Sequence, residues 1–246
     1  MRLTVVGCAP AYTSLPGRAA SGYLVEHDGT RLMLDFGQGV FPELWRYTSP
    51  ADVSAVAISH LHADHNVDLI PLRHWVRFEN RGYGPSLHAP LQLRQRFADF
   101  QADPDFLADF HGDALAPGSF AVGDLRIDAG RVTHIPDSFA FRVSAAGGGP
   151  GLVYSGDCSV ADDLLPLMRA GDVLLCEAAF GRGPKVAPIH LTATEAGEAA
   201  ARGGAGRLVL THVLDDHAGE ALAGTAQAVF GGSVEVARPG LEIDIR

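Results

Sequence analysis

Five apolar runs in this chain of 246 residues each stop at a residue able to bind a metal or carry a proton. VSAVAIS runs into HLHADH at 60–65, RIDAGRVT into His134, LVYSG into Asp157, VLLC into Glu177 and RLVLT into His212. Apolar and β-branched runs of this length read as buried strands. A lone histidine at a strand end is usually just a hydrogen-bonded side chain. The same arrangement at five successive strand ends needs a shared cause. Strand ends gathered on one edge of a sheet are where α/β proteins build their sites.

The rest of the chain supports such layers. LTVVG, SGYLVEHDGTRLMLDFG and VSAVAISH read as strands, turned at His27-Asp28-Gly29. Helical spacing follows in NVDLIPLRHWVRF, through Val67, Leu69, Ile70, Leu72, Trp75 and Val76, and again in LQLRQRFADF. Pro71 falls in the first turns, where proline is tolerated. Strands return in GSFAVGDLRIDAGRVTH, FAFRVSA, GLVYSGD, DVLLCEAAF and GRLVLTH, and SVEVA and LEIDI close the chain. Helices are expected over 160–170, 192–203 and 217–230. The second has Thr192 or Thr194 as N-cap and Glu195 in its first turn. AAGGGPG at 145–151 reads as a hairpin turn, and one α/β domain over 1–246 is expected.

Composition narrows the function. A formal net charge of −10 argues against gripping long stretches of phosphate backbone, yet leaves room for a small anionic substrate met by bound metal. Cys8, Cys158 and Cys176 are too few and too far apart for a disulfide framework or a cysteine-rich zinc site, which points to a reducing cytoplasm. VVGC near the N-terminus resembles a lipoprotein cleavage box, but the apolar run before it covers only Leu3 to Val6. No stretch approaches the ~20 apolar residues of a membrane span.

Within HLHADH, His60 and His62 lie two apart. In extended chain they share a side and can converge on one ion. If the chain turns near Asp64, then Asp64 and His65 leave in another direction and can serve a second ion. His190 differs from the other candidates, sitting in the loop KVAPIHLT just before a helix.

With its HxHxDH stretch followed by a distant His, Asp and His, the sequence resembles the metallo-β-lactamase superfamily across essentially its whole length. The resemblance implies a four-layer αβ/βα sandwich with the metals at one edge. It implies His60, His62 and His134 on a first divalent ion, Asp64, His65 and His212 on a second, and Asp157 bridging both. Such N/O ligands suit Zn²⁺, and also Mn²⁺ or Fe. Two ions would make a shared hydroxide available as nucleophile near neutral pH. CEAAF, HLTATEAGEAA and LVLTH further resemble ribonuclease Z and its phosphodiesterase relatives. There His190 would protonate the leaving oxygen and Glu177 would hold that histidine. Asp64 is counted with these two among the catalytic residues as well as among the ligands.

Three departures point away from transfer-RNA processing. Only residues 135–156 separate His134 from Asp157, too few for the tRNA-clamping arm of many ribonuclease Z enzymes. VLDDH follows where those enzymes carry Ser and Arg-Tyr, and the charge is acidic. The expected activity is therefore hydrolysis of small phosphodiesters such as cyclic nucleotides. A tRNA 3′ endonuclease, a lactone, thioester or amide hydrolase and a non-catalytic metal-binding protein stand as alternatives. A small anionic substrate is the expected partner, with tRNA and membrane disfavoured and a homodimer allowed. Arg142 could touch phosphate or be structural. Asp35 could fix a metal-binding histidine or cap a turn. His74 could line the pocket or lie on a helix surface, and Cys158 reads as a small buried residue. His27, His88, His111 and His217 are given no role.

Overall fold

Successive side chains of a strand point to opposite faces, and here that alternation separates three apolar layers. Leu3, Val5, Tyr23, Val25, Leu32 and Leu34 join one cluster, while Val6, Leu24, Met33 and Val56 join another. The structure, a computed structural model, describes residues 1–81, 84–213 and 220–246. Its strands are β1 (Arg2–Gly7), β2 (Gly22–His27), β3 (Thr30–Leu34), β4 (Ala55–Ala57), β5 (Ser86–His88), β6 (Gly118–Val122), β7 (Leu125–Arg131), β8 (Phe139–Ala145), β9 (Leu152–Tyr154), β10 (Val173–Glu177), β11 (Arg207–Thr211), β12 (Ser233–Val236) and β13 (Glu242–Asp244). The helices are α1 (Val40–Leu44), α2 (Leu69–Phe78), α3 (Leu93–Gln101), α4 (Ala193–Gly203) and α5 (Glu220–Phe230).

Two mixed sheets result, ordered β13-β1-β2-β3-β4-β5 and β12-β11-β10-β9-β8-β7-β6. Their facing sides share the central cluster, in which Leu3, Tyr23 and Leu34 meet Ile127, Phe141, Tyr154 and Leu175. Val40, Leu44, Leu69, Leu72 and Phe97 of α1–α3 cover the outer face of the first sheet. Ala196, Ala199, Ala200, Leu222 and Ala226 of α4 and α5 cover the second. This is the expected αβ/βα sandwich. Each sheet has an antiparallel part and a parallel part, β3-β4-β5 in one and β9-β10-β11-β12 in the other. Parallel neighbours end on the same side. The residues after β3, β4, β9, β10 and β11 therefore collect along one edge.

Some elements differ from the sequence reading. The helix expected over 160–170 is a single turn, Ala161–Leu164. Pro166 follows two residues after Leu164 and has no N–H to continue the ladder. β7 stops at Arg131, so His134 stands in the turn beyond the strand and not at its last residue. β5 and α1, both short, were not anticipated. The start of the helix expected at 217 falls outside the described residues, as does His217. The N-cap of α4 is Thr192, whose hydroxyl accepts from Glu195 N–H while the Glu195 carboxylate accepts from Thr192 N–H.

Candidate metal centre

HLHADH leaves β4 in extended form and closes in one tight turn, Ala63–His65. Asn66 holds that turn, its amide donating to the carbonyls of His60 (3.2 Å) and His62 (2.7 Å). From the other side Phe36 N–H donates to the His65 carbonyl at 2.7 Å. The approach is so close that a Cβ on Gly37 would lie 1.9 Å from the Asp64 carbonyl oxygen, so only glycine fits.

The seven expected ligands come together. His62 Nδ1 lies 3.1 Å from both His60 Nε2 and His134 Nε2. Asp157 Oδ2 stands 3.6 Å from His60 Nε2 and 3.7 Å from His134 Nε2. A second group adjoins the first. His212 Nε2 is 3.1 Å from Asp64 Oδ2, and His65 Nε2 is 3.5 Å from the same oxygen. Asp157 turns its other oxygen, Oδ1, to this group, 3.3 Å from His65 Nε2 and 3.6 Å from His212 Nε2. In each group the donor atoms lie within 4.8 Å of one another, close enough to hold one ion. Asp157 thus gives one oxygen to each group, as a bridging carboxylate would.

The donors also fit a cation electrostatically. His65 Nε2 and Asp157 Oδ1 are buried, and neither finds a hydrogen-bond partner among the described residues. Leaving such atoms unmet costs about 1–3 kcal/mol each, and a cation between them would meet both. Burial pulls the pKa values of His60, His62 and His134 below the ordinary histidine range, which favours the neutral ring that metal binding requires. Burial pushes the other way at Asp157, but the neighbouring His212, His65 and His60 hold its carboxyl well below the usual range. Asp64 is likewise lowered despite burial, by its contacts with His212 and His65. At His65 burial is overcome by the charges of Asp157 and Asp35, and the pKa rises: two buried carboxylates draw positive charge to this spot.

Neighbouring groups orient the rings. Asp35, fully buried, accepts from His65 Nδ1 (2.7 Å), Tyr154 OH (2.6 Å), Ser59 N–H (2.6 Å) and Ser59 Oγ (2.7 Å). That settles Asp35 as the residue that fixes His65. Ser59 Oγ also lies 3.0 Å from His60 Nδ1, and the Ile189 carbonyl lies 2.8 Å from His134 Nδ1. Asp35 and His212 both have left-handed backbone, with φ of 60° and 54°. Non-glycine residues hold such angles at a cost of about 1–3 kcal/mol, typically at functional sites.

Glu177 and His190 form the expected pair. His190 Nδ1 lies 2.9 Å from Glu177 Oε1. Glu177 is fully buried and also accepts from the N–H groups of Cys158 and Ala179, both at 3.0 Å. Burial pushes its carboxyl up, opposed by the hydrogen bond from His190. Burial lowers the His190 pKa, but the hydrogen bond to Glu177 and its charge outweigh this and raise it. The His190 ring centroid is 5.2 Å from that of His134 and 5.4 Å from that of His212, and its Nδ1 is 3.9 Å from Asp157 Oδ2. The pair therefore stands directly against both donor groups.

Arg142 does not belong here. Its Nε and Nη2 donate to the buried Asp172 at 2.8 and 2.9 Å, at the opposite end of β10 from Glu177, so it is structural. His74 is exposed on α2 and stacks on Phe78. Cys158 is buried, its thiol donating to the Val160 carbonyl. Sequence reasoning passed over Asn66, Ser59, Tyr154 and the Ile189 carbonyl. Asn66 alone left a signal, as a polar residue directly after the histidine motif.

Comparison with known proteins agrees with this geometry. The family model described as "Beta-lactamase superfamily domain" matches residues 30–213. The uncharacterized protein Rv1339 of Mycobacterium tuberculosis is 37% identical over 95% of this chain and 88% of its own length. The probable metallo-hydrolase YhfI of Bacillus subtilis is 29% identical over 98% of both chains. The crystal structure of YhfI superposes with a TM-score of 0.87 over 98% of each chain, at 27% identity. A ribonuclease Z of Myxococcus xanthus is 26% identical over all of this chain and 98% of its own. The matched family, the sandwich and the seven converging donors together make this chain a member of the metallo-β-lactamase superfamily, a metallo-hydrolase fold, with ribonuclease Z among its relatives.

Proposed function

We propose that the protein is a two-metal phosphodiesterase acting on small phosphodiesters such as cyclic nucleotides. One observation carries this reading: the Glu177–His190 pair stands against the metal-binding edge, with its charge partner fully buried. Opening a thioester, whose thiolate leaves readily, calls for no such pair. A departing ribose alkoxide is a poor leaving group and gains from a proton donor.

His60, His62, His134 and Asp157 would hold one ion, and Asp64, His65 and His212 the other, with the second Asp157 oxygen turned toward it. Zinc suits this imidazole-rich set best, with manganese and iron as variants. When bound, the ions would neutralise phosphate charge and make hydroxide available near neutral pH. Asp157 fixes the spacing of the two groups by giving each one oxygen. Asp35 and the Ile189 carbonyl keep His65 and His134 turned inward. Glu177 engages His190 Nδ1 and favours the imidazolium, which leaves Nε2 to carry the proton delivered to the leaving oxygen.

Small size of the substrate is supported by the segment between His134 and Asp157. β8, its turn and β9 fill it, and no residues are left for an arm. The net charge of −10 likewise disfavours tRNA. We place the protein in the cytoplasm, in keeping with three cysteines that are all free and buried. No helix among the described residues is long and apolar enough to cross a membrane.

The test is a substrate panel with metal-reconstituted protein: 2′,3′- and 3′,5′-cyclic nucleotides, bis(p-nitrophenyl) phosphate, precursor tRNA, and lactam, lactone and thioester substrates. His190→Ala should lower kcat on a cyclic nucleotide by about 10²–10⁴-fold while metal content is kept. The loss should be much smaller on bis(p-nitrophenyl) phosphate, whose leaving group needs little protonation. Protein that ignores every phosphodiester but opens a lactone or thioester would overturn the proposal.

A further inference from the structure

We infer that Lys185 is a positioning residue for His190, holding the segment 181–190 so that the imidazole stays against the metal-binding edge. This rests on the reading of His190 as the proton donor.

The segment GRGPKVAPIH is tied to the fold by backbone hydrogen bonds only near its ends. Phe180 N–H donates to the Leu191 carbonyl (3.1 Å), Ala193 N–H to the Gly181 carbonyl (2.8 Å) and Gly183 N–H to the Phe180 carbonyl (3.0 Å). Among the described residues, 184–188 make no backbone hydrogen bond. Most of the segment is exposed, Val186 at 76%. A chain in this state has little reason to hold one conformation, yet it ends on His190, whose ring must meet Glu177 and the donor groups together.

Lys185 supplies the missing tether. Its Nζ donates to the Ser159 carbonyl at 2.5 Å and to Glu195 Oε1 at 2.9 Å. Both partners are anchored. Ser159 N–H and Oγ donate to the Thr133 carbonyl, at 2.7 and 2.8 Å, next to His134. Glu195 belongs to the capping box of α4. One ammonium thus ties the His190 segment to the loop after Asp157, to the turn carrying His134 and to the helix that follows His190. The Ile189 carbonyl, one residue before His190, closes the circle by orienting His134. Half-exposed ion pairs of this kind add little to global stability. The consequence of losing Lys185 is therefore placement of His190 and not unfolding. Misplacement by about 1 Å can cost as much as ~10²-fold in rate.

The test uses full-length, metal-loaded protein and a cyclic nucleotide that it hydrolyses. Lys185→Met should lower kcat about 10- to 100-fold, change KM less than about threefold and leave the melting temperature almost unmoved. Amide hydrogen exchange at Phe180 and Ala193, whose N–H groups bond across the two ends of the segment, read by mass spectrometry, should quicken about tenfold. In a His190→Ala background the same substitution should change kcat less than about twofold, because its effect passes through His190. Unchanged exchange, unchanged kcat, or an equal loss in the His190→Ala background would each overturn the role of Lys185. If His190→Ala is slow while Lys185→Met is not, Lys185 alone is refuted. If His190→Ala keeps full rate, the proton-donor reading falls and this role falls with it.

Discussion

Asp35→Asn is the substitution whose outcome the structure constrains most tightly. It keeps the shape of the side chain and changes one oxygen to an amide nitrogen. Asp35 accepts four hydrogen bonds, three of them at Oδ2, from His65 Nδ1, Tyr154 OH and Ser59 Oγ, and one at Oδ1 from Ser59 N–H. If the asparagine carbonyl takes the Oδ2 place, its NH₂ faces Ser59 N–H at 2.6 Å, donor against donor. If the carbonyl takes the Oδ1 place, the two hydroxyls can turn, but His65 must then accept at Nδ1. Its proton would move to Nε2, the atom that faces Asp64 and Asp157. Either way at least one buried polar group goes unmet, at about 1–3 kcal/mol, and His65 loses a buried charge partner. Breaking such a pair costs about 3–5 kcal/mol in all, or a fall in melting temperature of roughly 6–20 °C for a chain of this size. The wrong tautomer should also weaken metal binding by about 10–100-fold. Each tenfold removes a further ~1.4 kcal/mol of stability in saturating metal. The zinc-loaded variant should therefore lose more stability than the metal-free one. Calorimetry of both forms, with chelator competition for zinc, reads each part separately. An Asp35→Asn protein within about 1 kcal/mol of wild type in both forms, binding zinc as tightly, would refute the reasoning.

Two further outcomes follow from the site. Glu177→Gln removes the charge that raises the His190 pKa, leaving burial to lower it. A proton donor loses activity as pH rises through its pKa, so the alkaline limb of the kcat/KM profile should move to lower pH even with Asp157 and Asp64 still nearby; a limb that stays or moves up would contradict the pairing. Arg142→Met should destabilise the fold by about 3–5 kcal/mol, because it strands the buried Asp172, while kcat/KM of the folded enzyme is unchanged. A fall in kcat/KM at undiminished stability would instead make Arg142 a phosphate contact.

The donors were legible in the sequence because each stands at or just past the end of an apolar run, and strand ends that share an edge are visible as a repeated pattern. What orients them was not, because orientation depends on register between strands distant in sequence. Asp35 illustrates this. β3 pairs in parallel with β4, Leu34 beside Ala57, so the next residue along, Asp35, falls beside the Ile58–Ser59 step that leads into His60. Nothing in LMLDFG states that register, and a turn-capping aspartate reads the same way. Arg142 shows the converse: by sequence it could touch phosphate, but its partner Asp172 precedes β10, and only the β8–β9–β10 pairing shows that it faces away from the metal-binding edge. The same logic explains why Lys185 left no trace. A lysine in an exposed, proline-containing loop looks like a solvated charge until the fold brings the Ser159 carbonyl and Glu195 to its ammonium. Residues that supply chemistry must be of particular types, and type is written in the sequence. Residues that aim them need only reach the right atom, and reach is a property of the fold.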